Sequence, residues 1–167
     1  MQPKQITINP IGIIHTPFND IKGMPIQPLA AKGVKGHIEL LPKYIEGLTD
    51  IEGFSHITLL YQLHRINEYD LIVNPFMDTE EHGIFATKSP KRPNTIGLST
   101  VKLLGIENNI IHIEMVDMLN GTPLIDIKPF FSKFDNRANT QSGWLDNQGN
   151  IPIKELRSDE RFKLKHL

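Results

Sequence analysis

A chain of 167 residues with 39% hydrophobic and 22% charged residues is long enough for one domain with a core, and too apolar for a disordered segment. A net charge of −1 excludes a histone-like polycation, and zero cysteines exclude disulfides, thiolate metal sites and a cysteine nucleophile. No apolar run reaches about 18 residues, so no transmembrane helix is expected, and the N-terminal MQPKQITINPIGII lacks the layout of an export signal, which makes the cytoplasm the expected compartment.

The predicted elements are mostly strands. ITINPIGIIHT (6–16) is rich in Ile and Thr and reads as a first strand interrupted at Pro10. GMPIQPLAAKGVKG (23–36) reads as a fixed extended loop, with two prolines around Gln27. KGHIELL (35–41) alternates weakly and reads as the next strand; Lys43–Leu48 follows a proline and suits one or two helical turns. SHITLLYQLHR (55–65) is β-branched, apolar and aromatic at period two, with His64-Arg65 at its rim and His56 reading as a core histidine.

Charge is then unevenly placed. Residues 68–81 (EYDLIVNPFMDTEE) hold five acids and no base, whereas residues 85–106 hold Lys88, Lys91, Arg92 and Lys102 and no acid. HGIFAT (82–87) reads as a short strand between the two blocks. In KRPNTIG (91–97), Pro93 fixes its own φ and Asn94 favours a turn, so cationic groups sit on a stiff backbone suited to phosphate or carboxylate.

IGLSTVKLLGI (96–106) and NIIHIEMVD (109–117) read as a hairpin turning at Glu107-Asn108, with Ile111, Ile113 and Met115 on one face. DMLNGTPLIDIKPF (117–130) carries the turn Asn120-Gly121 and a last strand on which Asp126 and Lys128 share a face. Residues 131–151 read as loop. A weak helix is expected at 153–163 within a charged, mobile tail. Six or seven strands with little helix imply a mainly β, single-domain, mostly antiparallel barrel with short helices. No G-x-G occurs, so a doubly wound Rossmann fold is not expected. The seven histidines show no H-x-H or H-E-x-x-H pairing; His56 and His64 would lie roughly 26 Å apart along a strand, so no metal is expected.

Ile11–Phe18, Pro25–Pro28, Gly36–Leu40, Gly47–Arg65, Phe85–Ser99 and Asp117–Phe130, in this order, resemble the motifs of the TsaA-like (TrmO) methyltransferase family over roughly residues 7–145. The resemblance implies a small β-barrel over 1–145 and a charged tail, 146–167, that is no separate domain; longer bacterial members carry a further C-terminal domain. It implies methylation of N6 of threonylcarbamoyladenosine beside the tRNA anticodon, with S-adenosyl-L-methionine as cofactor. It implies a homodimer with the cofactor near the interface. The implied cofactor contacts are Gln27, Pro28, His64, Arg65, Lys88, Leu98, Thr122, Pro123, Leu124 and Ile125. Asp126 or His64 is the expected proton acceptor, and Lys91, Arg92, Asn94 and Lys128 the expected RNA contacts. The chain departs from the family pattern at Ile26 and Lys88 (Arg in the family), Thr95 (Pro) and Asn120 (Asp). The departures at Ile26, Lys88 and Asn120 support an alternative, a non-catalytic cofactor- or RNA-binding module of the same fold; a different methyl acceptor is a second.

Overall fold

The computed structural model describes residues 4–149 and 151–162. The strands are β1 (Gly12–His15), β2 (Lys35–Leu40), β3 (His56–Gln62), β4 (Ile72–Val73), β5 (His82–Gly83), β6 (Ile96–Glu107), β7 (Ile110–Glu114) and β8 (Thr122–Pro129); one short helix, α1, spans Ser132–Asp135. Six strands close into a barrel in the order β1-β2-β7-β6-β3-β8, every pairing antiparallel. The pair β4-β5 forms a separate small sheet.

Alternation along each strand explains the closure. Ile57, Leu59 and Tyr61 of β3 point inward, as do Val101 and Leu103 of β6, Ile111 and Ile113 of β7, and Ile14, Ile38 and Leu124. Each fully buried Ile or Leu contributes about 1.5–3 kcal/mol, so this interior is the main source of stability.

Several expected elements differ. The first strand shrinks to Gly12–His15, because Pro10 lacks a donor and Ile6 and Ile8 stay exposed. Residues 82–87 do not join the barrel: two pair with β4, then Ile84–Ala86 forms a 3-10 turn that buries Ile84. The hairpin turns one residue later, with Asn108 at φ 56. Met115 sits at φ 73, which shifts the phase, so Val116 and Met118 are buried while Met115 is not. His56 is only half-buried, its Nδ1 2.9 Å from Ser55 Oγ. Of the described residues in the expected helix 153–163, only Ile153–Glu155 is helical, as a 3-10 turn; position 163 lies outside the described residues.

On the outside, β1, β2 and β7 align three histidines. His37 faces His15 and His112 across the strands, and the rings of His15 and His37 stack at 4.7 Å. No group of three or more His, Asp or Glu among the described residues is placed to hold a metal ion. Burial, then the His15 and His112 charges, lower the His37 pKa below 6.5, against a smaller opposing pull from Glu39. A depressed histidine pKa means that the unfolded chain binds protons first, so stability is lost as pH falls below about 6.5. Thermal unfolding between about pH 5 and 8 should show this fall, and His37→Gln should make it shallower than in the wild type.

Candidate active site

The site begins at a missing side chain. Gly97 faces Tyr61 across the β3-β6 pair. A Cβ at Gly97 would lie 2.2 Å from the Tyr61 ring, so only glycine admits the ring here. The Tyr61 hydroxyl then meets Ser99 Oγ at 3.0 Å, and Ser99 Oγ donates to Asp117 Oδ1 at 2.7 Å. With its own proton given to Asp117, Ser99 accepts from Tyr61. Burial, then the Asp117 charge, push the Tyr61 pKa up, so the phenol stays a donor. Burial raises the Asp117 pKa to about 6, against the Ser99 hydrogen bond and the more distant Lys88 charge.

Asp117 borders a cavity of about 120 Å³ whose walls are mostly apolar, with Asp117, Tyr61, His64, Arg65, Lys88, Thr122 and Ser158 as the residues that carry polar groups. Thr122 Oγ1 donates to the Leu119 carbonyl at 2.7 Å. It can therefore only accept from His64 Nδ1, 3.4 Å away, and the His64 ring also meets the Gln62 backbone. Burial and the Arg65 charge lower the His64 pKa, so the ring is neutral near pH 7. A second cavity, of about 530 Å³, adjoins the first along Ile26, Phe76, Lys88 and Phe162. Its other walls include Gln27, Phe85, Ser89 and Trp144.

The segment 156–162 roofs both cavities rather than hanging free. Ser158 N donates to Met24 O and Gly23 N to Ser158 O, both at 2.8 Å, and Ser158 Oγ donates to Ile21 O. Arg161 NH1 reaches Pro75 O at 2.6 Å and Asn74 Oδ1 at 2.9 Å. Phe162 is 5% exposed and meets the Phe76 ring edge-on at 4.9 Å.

The expected site residues fall into two groups. Gln27, His64, Arg65, Lys88 and Thr122 line the cavities, with Lys88 Nζ 3.4 Å from Gln27 Oε1. Pro28 begins the 3-10 turn Pro28–Ala31 beside them. Leu98, Pro123 and Ile125 line neither cavity, and the Leu124 side chain is fully buried in the barrel. Asp126 is also outside: its carboxylate pairs with Lys128 at 2.8 Å on the barrel surface. Lys91 pairs with Asp70 at 2.9 Å, and Arg92 NH1 donates to the Ile84 and Thr87 carbonyls at 3.1 and 2.7 Å; Asn94 is exposed. Asn120 lines neither cavity; it accepts from Thr16 N and donates to Asn19 Oδ1.

Sequence reasoning missed Asp117, Tyr61 and Ser99 as a unit, and Phe162 and Trp144 as walls. The available signal was the inward phase of β3, which puts Tyr61 in line with Ile57 and Leu59 and opposite a glycine.

Residues 13–136 match the family described as the tRNA-methyltransferase O N-terminal domain. A probable S-adenosyl-L-methionine-binding protein of Pyrococcus abyssi is 49% identical over 160 residues, 96% of this chain and 86% of that protein. The human tRNA (adenine(37)-N6)-methyltransferase is 27% identical over 172 residues, covering 96% of this chain and 39% of its own. A crystal structure of TrmO from Pseudomonas aeruginosa aligns with a TM-score of 0.72 at 34% identity, covering 84% of this chain and 63% of that one. The chain thus spans less than two thirds of the bacterial structure and less than half of the human protein.

The roof yields a stability test. Phe162→Ala should cost about 3 kcal/mol, the low end for a buried phenylalanine, read by urea unfolding. A change under about 0.5 kcal/mol, the range of a surface substitution, would mean that the roof does not rest on this ring.

Proposed function

The chain belongs to the tRNA-methyltransferase O N-terminal-domain family, and from that premise we propose that it uses S-adenosyl-L-methionine to methylate N6 of an adenosine beside the tRNA anticodon, with threonylcarbamoyladenosine as the acceptor. One observation carries the reading: His64, Lys88, Asp117 and Thr122 converge on a largely apolar cavity in a chain of this family.

The residues fit the cofactor. It is charged at its amino-acid end, and the cavity offers the Lys88 cation for the carboxylate and hydrogen-bonding groups from His64 and Thr122. His64, Arg65, Lys88, Gln27 and Thr122 would hold it, with Pro28 setting the loop. When bound, S-adenosyl-L-methionine supplies a methyl group already activated on a sulfonium. What remains for the protein is alignment, exclusion of water and removal of one proton; alignment supplies up to roughly 7–11 kcal/mol.

The position of Asp117 inside the cavity, against the ion pair that occupies Asp126 outside it, favours Asp117 as the proton acceptor. Neutral His64 is the second base at hand. Tyr61 and Ser99 hold the Asp117 carboxylate in place. The loop 88–94 and Lys128 face the RNA in this reading. Arg92 keeps the loop shaped through its carbonyl contacts, while Lys91 shares its charge with Asp70. The same reading includes a cytoplasmic homodimer. Leu98, 60% exposed opposite Leu60, supports a contact on that barrel face. No helix among the described residues is long and apolar enough to cross a membrane.

Two experiments test the proposal. Radiolabelled S-adenosyl-L-methionine, offered with total tRNA from cells with and without threonylcarbamoyladenosine, should label only the modified pool. Label in both pools means another acceptor, and no label with cofactor still bound means a non-catalytic module. A base must be deprotonated to act, so turnover should rise as pH climbs through about 6, the Asp117 value. Asp117→Asn should lower kcat by about 100-fold or more and abolish that rise, whereas Asp126→Asn should change kcat by less than about threefold. The reverse ranking would put the proton acceptor on the outer face, across a subunit contact.

A further inference from the structure

We infer that the larger cavity seats the acceptor nucleobase, stacked at Phe85 and Trp144 and read by the Ser89 hydroxyl; this rests on the proposed methyl transfer to tRNA. A volume of about 530 Å³ is in the range of small-ligand sites. Of the residues proposed to hold the cofactor, His64, Arg65 and Thr122 line only the smaller cavity, whereas Lys88 lines both and Gln27 only the larger, so Lys88 and Gln27 mark the end at which cofactor and base meet. What the larger one offers instead is ring surface.

Phe85 stands at its rim, 79% exposed, with the Arg92 guanidinium carbon 6.0 Å from the ring centre. An exposed aromatic beside a cation is a stacking platform for an unpaired base. Trp144 is held still: its Nε1 donates to Ala86 O at 2.8 Å, and its ring stacks on His82 at 4.4 Å. His82 is itself fixed by Asp78 at 2.8 Å. A rigid indole loses little freedom when a base lands on it.

Ser89 supplies the polar reader. It is 6% exposed, lines the cavity, and its Oγ has no hydrogen-bond partner among the described residues. Its neighbour's hydroxyl is already used, because Thr87 Oγ1 donates to Ile84 O and accepts from Ser89 N. A buried hydroxyl left unpaired is costly, and the edge of a purine satisfies it. Lys88 lines both cavities, so a base seated here borders the chamber that contains Asp117. An adenosine in the anticodon loop is already single-stranded and needs no unpairing to enter.

The chain has one tryptophan, so intrinsic indole emission reports this cavity alone. An anticodon stem-loop RNA carrying threonylcarbamoyladenosine should quench Trp144. Phe85→Ala should weaken that RNA about tenfold, as expected for one lost stacking partner. Ser89→Ala should weaken it about threefold to tenfold while leaving the melting temperature unchanged or higher, since it removes an unsatisfied hydroxyl. Calorimetric binding of S-adenosyl-L-methionine should move by less than about twofold in both. The inference is overturned if both variants bind the RNA as the wild type does, or if they lose the cofactor instead. Quenching needs no turnover, so the two readings separate. RNA that quenches Trp144 without methyl transfer keeps the pocket and removes the reaction; methyl transfer with unresponsive emission does the opposite.

Discussion

The contact between Gly97 and the Tyr61 ring organises the rest of the site. Position 97 lies on the inward face of β6, where β3 delivers a large aromatic. Any side chain there would push the ring away, and the phenol would no longer reach Ser99. Ser99 in turn holds the only carboxylate that borders the smaller cavity among the described residues. A backbone choice in one strand thus decides where a titratable group of another segment stands. Burial there then raises its pKa.

The barrel was largely legible in the sequence, and the reason is physical. A strand with one dry face must alternate, and SHITLLYQ and IGLSTVKLL do so plainly. Short apolar runs carry less information: HGIFAT buries Ile84 equally well from a 3-10 turn, and nothing local says which. Met115 defeated the alternation because a single positive φ reverses the phase of the residues after it. Of the expected cofactor contacts, Gln27, His64, Arg65, Lys88 and Thr122 stand at the cavities, whereas Leu98, Pro123 and Ile125 do not. Asp117 was not singled out, since its environment comes from Ser99, 18 residues away, and from Tyr61, 38 further from that serine. Asp126 was chosen on alternation alone, which cannot tell a pocket from a solvated face.

The two charge blocks also change meaning in three dimensions. Along the chain, 68–81 is acidic and 85–106 basic. In space Asp70 neutralises Lys91, and Asp78 holds His82 and Gln148. The acids therefore shape the loop that carries Phe85 and Ser89 more than they repel a ligand. Arg92 does similar work by donating to backbone carbonyls. The departure at Asn120 fits the same pattern: an amide both accepts from Thr16 and donates to Asn19, and an ionised aspartate would only accept.

Closure of the barrel carries a final consequence. Every one of its six strands has a neighbour on both sides, with β1 joining β2 to β8. No barrel edge is therefore left for strand addition. A second copy of the chain, or a strand of RNA, must meet the barrel through side chains and loop backbone. Register along a ladder cannot guide that encounter; shape and charge on the outer faces must. The small β4-β5 sheet is the exception: it has only two strands, so it is not closed on itself, and its His82 stacks on Trp144.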